Sequence, residues 1–136
     1  MNYLGLAEIM IIAEEVTGVD RDVLVRISRV DLLDSALAAP SAGFGDYDLY
    51  PSLIEKAAVL GVRVAMNHPL PDGNKRLAWM AMVVFLDMNN ADLETGDDDA
   101  VEMMMSVARG EIDERALGAW LSSRVRVRPT ERRANQ

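Results

Sequence analysis

The sequence predicts an all-α domain, and three observations carry that expectation. Apolar residues recur at three- and four-residue spacing in one segment after another, the mark of helices with a buried face. Gly, Pro and an Asn-Asn pair fall between those segments rather than inside them. Nothing reads as a confident strand. The chain has 136 residues, 50% of them apolar, which is one domain by length with enough material for a real core.

Residues Leu6–Thr17 place Ile9, Ile12, Ala13 and Val16 on one face, and Gly18 is positioned to end that helix. A second helix is expected to start around residues 20 to 22. A third, within "VDLLDSALAAP", turns Leu32, Leu33, Ala36 and Leu37 inward and stops before Pro40. The stretch "SAGFGDYDLY" is rich in Gly, Asp and aromatics without helical period, so a loop or short hairpin is expected. Pro51 suits the first turn of the next helix, where its missing N–H costs nothing. That helix carries Leu53, Ile54, Ala57, Ala58, Leu60, Val64 and Ala65 and runs to about Asn67.

Further on, "RLAWMAMVVFLDMNN" is apolar nearly all round and is expected as a central buried helix ending at Asn89 and Asn90. Trp79, Met80, Met82, Val83, Phe85 and Leu86 are assigned to the core. Two amphipathic helices follow, from residue 97 to about 109 and from 113 to about 125. The run of Asp97, Asp98 and Asp99 suits a helix N-terminus and lacks the spacing of a calcium loop. Met103, Met104 and Met105 suit helix packing, with an adaptable partner groove as the alternative. There is no internal repeat and no low-complexity linker.

Charge divides unevenly. Residues 1–123 hold nine Lys/Arg and 21 Asp/Glu, about −12, while "RVRVRPTERRANQ" holds five Arg and one Glu, about +4. An acidic body repels phosphate backbones and argues against a dedicated nucleic-acid binder. The basic end is expected as a solvated, disordered tail from residue 125 to 136. No run reaches the ~20 apolar residues of a membrane span, the N-terminus carries Glu8 and no basic leader, and there are no cysteines. The expectation is a cytoplasmic protein without disulfides or thiolate metal sites.

Between the two most apolar helices lies "HPLPDGNKR", which holds the only histidine. A helix N-terminus presents free N–H groups and partial positive charge, a natural anion site. Gly73 permits close backbone approach, Asn74 adds side-chain donors, and Lys75 and Arg76 add full charge. Asp72 is a hard oxygen ligand suited to Mg²⁺ against phosphate oxygens, and His68 is a candidate general base. Each has an alternative: His68 as a structural hydrogen-bonder, Asp72-Gly73-Asn74 as an ordinary turn with a cap. Lys75 and Arg76 resist the structural reading, because cations in a first helical turn oppose the dipole and call for a compensating anion.

This stretch resembles the Fic/Doc (Fido) superfamily signature, His-x-Phe-x-Asp/Glu-Gly/Ala-Asn-Lys/Gly-Arg. "DLYPSLIEKAAVL", "LLDSALAAP" and "FLDMNNADLETGDDDAVEMMMSVARGEIDERALGAWL" are similar to flanking helices of death-on-curing (Doc) toxins, so the resemblance covers roughly residues 3–124. It implies a compact domain of about six helices, spanning 1–124, with a flap loop or hairpin at "SAGFGDYDLY" against which a target docks. It further implies the toxin of a toxin–antitoxin pair, a Mg²⁺- and ATP-dependent protein kinase acting on elongation factor Tu or another translation factor. The implied antitoxin has a C-terminal segment that folds on binding, and nucleic acid enters only indirectly through it. By position, His68 would be the base, Asp72 would hold Mg²⁺, Gly73, Asn74 and Lys75 would cradle phosphates, and Arg76 would neutralise the transferred group. The alternatives are an AMP-transferring enzyme, whose motif has Gly at the position of Lys75, and a catalytically weak protein-binding module. Three positions depart from the family pattern: Leu70 replaces Phe, Met66 replaces an Arg, and Trp79 replaces the second motif Arg of AMP-transferring enzymes.

Overall fold

The computed structural model describes residues 1–129 and builds them from seven α-helices, one 3-10 turn and two small antiparallel sheets. Helix α1 (Leu6–Thr17) begins at Gly5, whose N–H donates to the Glu8 carboxylate at 2.9 Å. An acid in that first turn also suits the positive end of the helix dipole. Gly18 closes α1 in the left-handed region, φ 72, with its N–H on Glu14 O at 2.9 Å. Helix α2 (Arg21–Ile27) and helix α3 (Val30–Ala38) follow. The 3-10 turn Ala39–Ser41 absorbs Pro40, which α3 itself could not have continued through. Strands β1 (Gly43–Phe44) and β2 (Tyr47–Asp48) pair Gly43 with Asp48 and Phe44 with Tyr47, a hairpin with both strands exposed.

Helix α4 (Leu53–Asn67) starts two residues later than Pro51 suggests. Ser52 is its N-cap, with Oγ accepting from Glu55 N–H at 3.1 Å, and Pro51 stands outside. A side-chain oxygen satisfies an orphan N–H and proline cannot, so serine takes the cap. Helix α5 (Asn74–Met88) packs most extensively against α4 and also meets α1, α6 (Asp97–Ala108) and strand β3 (Ala91–Leu93). The contact is close because Gly61 has no side chain: a Cβ there would run into Met82. Met82, Phe85 and Leu86 are fully buried, as expected, but Trp79, Met80 and Val83 are only half-buried. Trp79 and Met80 line a recess beside α6 that leaves them partly uncovered, and Trp79 meets Trp120 edge-on at 6.2 Å. Helix α7 (Glu114–Ser122) is capped by Asp113, whose carboxylate accepts from Ala116 N–H at 2.9 Å.

Strand β4 (Val125–Val127) is a correction to both the strand-free expectation and the tail boundary. It pairs antiparallel with β3, Ala91 opposite Val127 and Leu93 opposite Val125. Arg126 binds Glu94 at 2.7 Å, and Arg128 binds Asp87 at 2.8 Å and Asp92 at 2.6 Å. The hydrogen bond to Asp87 and the charge of both acids raise the Arg128 pKa above its already high value. Arg124 to Arg128 alternate, but five residues with two valines among them are a weak strand signal, and the acids that fix this strand lie more than 30 positions upstream. The remainder of the expected tail, 130–136, lies outside the described residues. Among the described residues no helix is long and apolar enough to cross a membrane.

Candidate functional site

The loop between α4 and α5 is held from three directions. His68 ends α4 in the left-handed region, φ 48 and ψ 55, a conformation non-glycine residues rarely adopt. On one side of it Asn67 donates its amide to Leu32 O at 2.9 Å, and on the other Pro69 O accepts from Arg29 N–H at 2.7 Å. The start of α3 therefore clamps the chain across His68. Leu70 is buried and keeps the apolar anchor that the family pattern assigns to Phe. Asn74, 8% exposed, closes the loop: its Oδ1 accepts from Leu70 N–H and its Nδ2 donates to Leu70 O, both at 2.9 Å.

Those two bonds change what Asn74 offers. Expected to lend side-chain donors to an anion, it instead commits its amide to Leu70, leaving its backbone N–H for a ligand. They also fix the amide's orientation, since the flipped form would set donor against donor and acceptor against acceptor. Asn74 Nδ2 consequently faces His68 Nδ1 at 3.4 Å. That separation is too long to hold the imidazole in one tautomer, and the ring stands at the exposed edge of the loop.

Gly73 caps α5 with φ 88, a left-handed conformation suited to glycine. A side chain there would also crowd Thr17 Cγ2 at 3.3 Å and Arg76 Nη2 at 3.4 Å. The first helical bond of α5 runs from Leu77 N–H to Gly73 O. The N–H groups of Asn74, Lys75 and Arg76 precede it and have no place in the helical ladder. Arg76 lies over Gly73 and donates Nη1 to Val16 O at 2.7 Å, at the C-terminal end of α1. The negative end of the α1 dipole thus supplies the compensation that the sequence asks of a ligand. Lys75 has no such relief: it is exposed, without an ion pair among the described residues.

Arg76 separates two recesses. One, about 530 Å³, runs between α1, the first turns of α5 and α6, with Lys75, Trp79, Met80, Met104 and Met105 along its wall. The other, about 130 Å³, lies beside Asp72, Thr17 and Pro71. The methionine run is accordingly split: Met104 is core and Met105 faces the larger recess. Asp72 is exposed, and no cluster of three or more His, Cys, Asp or Glu suited to a metal exists among the described residues. A lone carboxylate is a poor all-protein metal site. It fits Mg²⁺ that takes its other ligands from phosphate oxygens and water. Met66, at the position of a family Arg, is half-exposed and reaches toward Gly110 at the α6–α7 turn.

Sequence reasoning missed Val16, Arg29 and Lys56. The first two act through backbone atoms and leave no residue-type signal. Lys56 did leave one: it falls at helical spacing from Leu53 and Leu60, on the buried face of α4.

Comparison with known proteins completes the description. The sequence model of the Fic/DOC family matches residues 4–86, a span that includes the whole loop. The Toxin Doc of Mycolicibacterium smegmatis is 39% identical over 100 residues, covering 72% of this chain and 77% of that protein.

Proposed function

The chain belongs to the Fic/DOC family, and on that footing we propose that it is the toxin of a toxin–antitoxin pair, a Mg²⁺- and ATP-dependent protein kinase acting in the cytoplasm on a hydroxyl of a translation factor such as elongation factor Tu. The observation that carries this reading is the loop held by Asn74 at the unpartnered N-terminus of α5, with Gly73 in its left-handed turn and His68 at its edge. Such a terminus receives phosphate oxygens on backbone N–H groups. Lys75 favours phosphate over AMP transfer: its side chain lies where AMP-transferring relatives have only glycine, beside the recess at the α5 start. At about 530 Å³ that recess is within the range of small-molecule sites.

The chemistry follows from these placements. The His68 imidazole takes the proton of the target hydroxyl on a ring nitrogen as the hydroxyl oxygen forms its bond to the γ-phosphorus of ATP. The bond from that phosphorus to the bridging oxygen breaks, and ADP leaves with the electron pair. The N–H groups of Asn74, Lys75 and Arg76 hold phosphate oxygens, and the Lys75 ammonium adds charge where negative charge accumulates. Asp72 would hold Mg²⁺, which when bound withdraws charge from the phosphate oxygens and fixes their orientation. Arg76 keeps Nη1 on Val16 O and turns Nη2 toward Gly73, so it contributes charge from a fixed position.

Calorimetric titration with ATP tests the site itself. Wild type is expected to bind in the presence of Mg²⁺, and Asp72→Ala to lose about tenfold or more of that affinity. Binding indifferent to metal would remove Asp72 from its role. Absence of nucleotide binding would leave the partner-binding module as the better description.

A further inference from the structure

We propose that Lys56 is a positioning residue, an internal ammonium that ties the β1–β2 hairpin to α4 and so sets where a docked target segment lies relative to His68. The inference rests on the proposed reading of that hairpin as the target-docking element. Lys56 is 1% exposed, the one buried lysine among the described residues. A charge is not kept at such a site for packing, because desolvating an ammonium is costly unless its donors are satisfied.

Its three neighbours come from three separate segments. Nζ donates to Pro40 O at 2.8 Å, in the 3-10 turn before the hairpin. It stands 3.6 Å from the carboxylate of Asp48, the last residue of β2. The ring of Tyr3 covers it, with the centroid 5.5 Å away, a cation–π distance. Tyr3 is itself held against Phe85 and by the reciprocal hydrogen bonds between Asn2 and Asn89. One ammonium therefore gathers both ends of the hairpin and the N-terminal segment onto the helix that ends at His68.

The hairpin needs such a tether. Its strands have two residues each and both are exposed, Phe44 at 84%. A two-stranded ribbon of that size does not hold its own orientation in water. Lys56 precedes His68 by about 18 Å of helix rise, at 1.5 Å per residue. Five or six extended residues cover about that distance. A hairpin free to swing at its base would present a target segment in many registers, few of which bring its hydroxyl to the loop. The Asp48 arm is the looser one, since that carboxylate side chain is 53% exposed, while the Pro40 arm is sealed.

Lys56→Met keeps the volume and removes the donors. Amide hydrogen exchange at Phe44, Tyr47 and Leu49 is expected to accelerate about tenfold with the helical amides unchanged, while ATP affinity stays within about twofold of wild type. In target phosphorylation, KM for the protein substrate should rise about tenfold with kcat altered less than twofold, the signature of lost binding rather than lost chemistry. If Lys56→Met does not fold, Asp48→Asn on the solvent side provides the same readouts with a smaller shift in the same direction. Unchanged hairpin exchange in the folded variants would overturn the tether, and a loosened hairpin with unchanged KM would overturn its positioning role. Should wild type phosphorylate no translation factor, the proposed function fails, yet the exchange experiment still decides the tether.

Discussion

At position 74 an amide meets both the N–H and the C=O of Leu70 at 2.9 Å, in a place almost closed to water. Asn74→Ala would strand both backbone groups, at a cost of about 1–3 kcal/mol for each buried group left without a partner. Thermal melts should register the loss, and ATP binding should weaken as the loop relaxes. Asn74→Asp keeps the acceptor but sets a carboxylate oxygen against Leu70 O in a buried place, so a loss at least as large is expected. Position 68 predicts the opposite pattern. His68 is exposed and makes one long contact, so His68→Ala should change stability by no more than about 0.5 kcal/mol while lowering transfer by at least about 10²-fold, as expected for removal of a general base. A large loss of stability in His68→Ala would make the histidine a structural residue.

At the scale of elements, α4 carries the two ends of the site: the hairpin at its start and His68 at its close. Its N-cap is a single side chain, and Ser52→Ala should cost about 1 kcal/mol, measurable by urea denaturation. The longer helices were legible because each has a buried stripe, and Gly18, Pro40 and Asn89 interrupt the pattern where the chain turns, whereas α2, with Leu24 alone buried, showed only its start. The motif loop was legible because its polar residues stand between two apolar stretches. Arg76 was only half legible: its charge shows in the sequence, but the Val16 carbonyl that neutralises it lies 60 residues away. The closure of the loop by Asn74 was hidden for a related reason, since a side chain bonding to a backbone four residues back leaves no spacing signal beyond that of a turn. Strand β4 was hidden by brevity and by counter-charges on distant elements.

For the molecule as a whole, the β3–β4 sheet makes the first residues of the basic end part of the domain. Ending the chain at residue 124 would strip Asp87, Asp92 and Glu94 of Arg126 and Arg128 and leave Leu93 without Val125, its cross-strand partner. A lowered melting temperature is expected for that truncation, and an unchanged one would return these residues to the status of a tail. The body charge, about −9 with Arg124, Arg126 and Arg128 counted in, suggests an antitoxin segment that carries Lys or Arg alongside apolar anchors and folds as a helix on binding. Association should slow as salt rises while dissociation changes less, and circular dichroism should show helix gained on mixing. Binding by a folded acidic domain, without added helix, would contradict that picture. The central claim, phosphate transfer rather than AMP transfer, is tested most directly by incubating the protein with elongation factor Tu and Mg²⁺-ATP labelled at either the α or the γ phosphate. Wild type should transfer γ label alone, and Lys75→Gly should admit α label by freeing the space beside the α5 N-terminus. Label from the α-phosphate on the target of the wild-type protein would contradict the account.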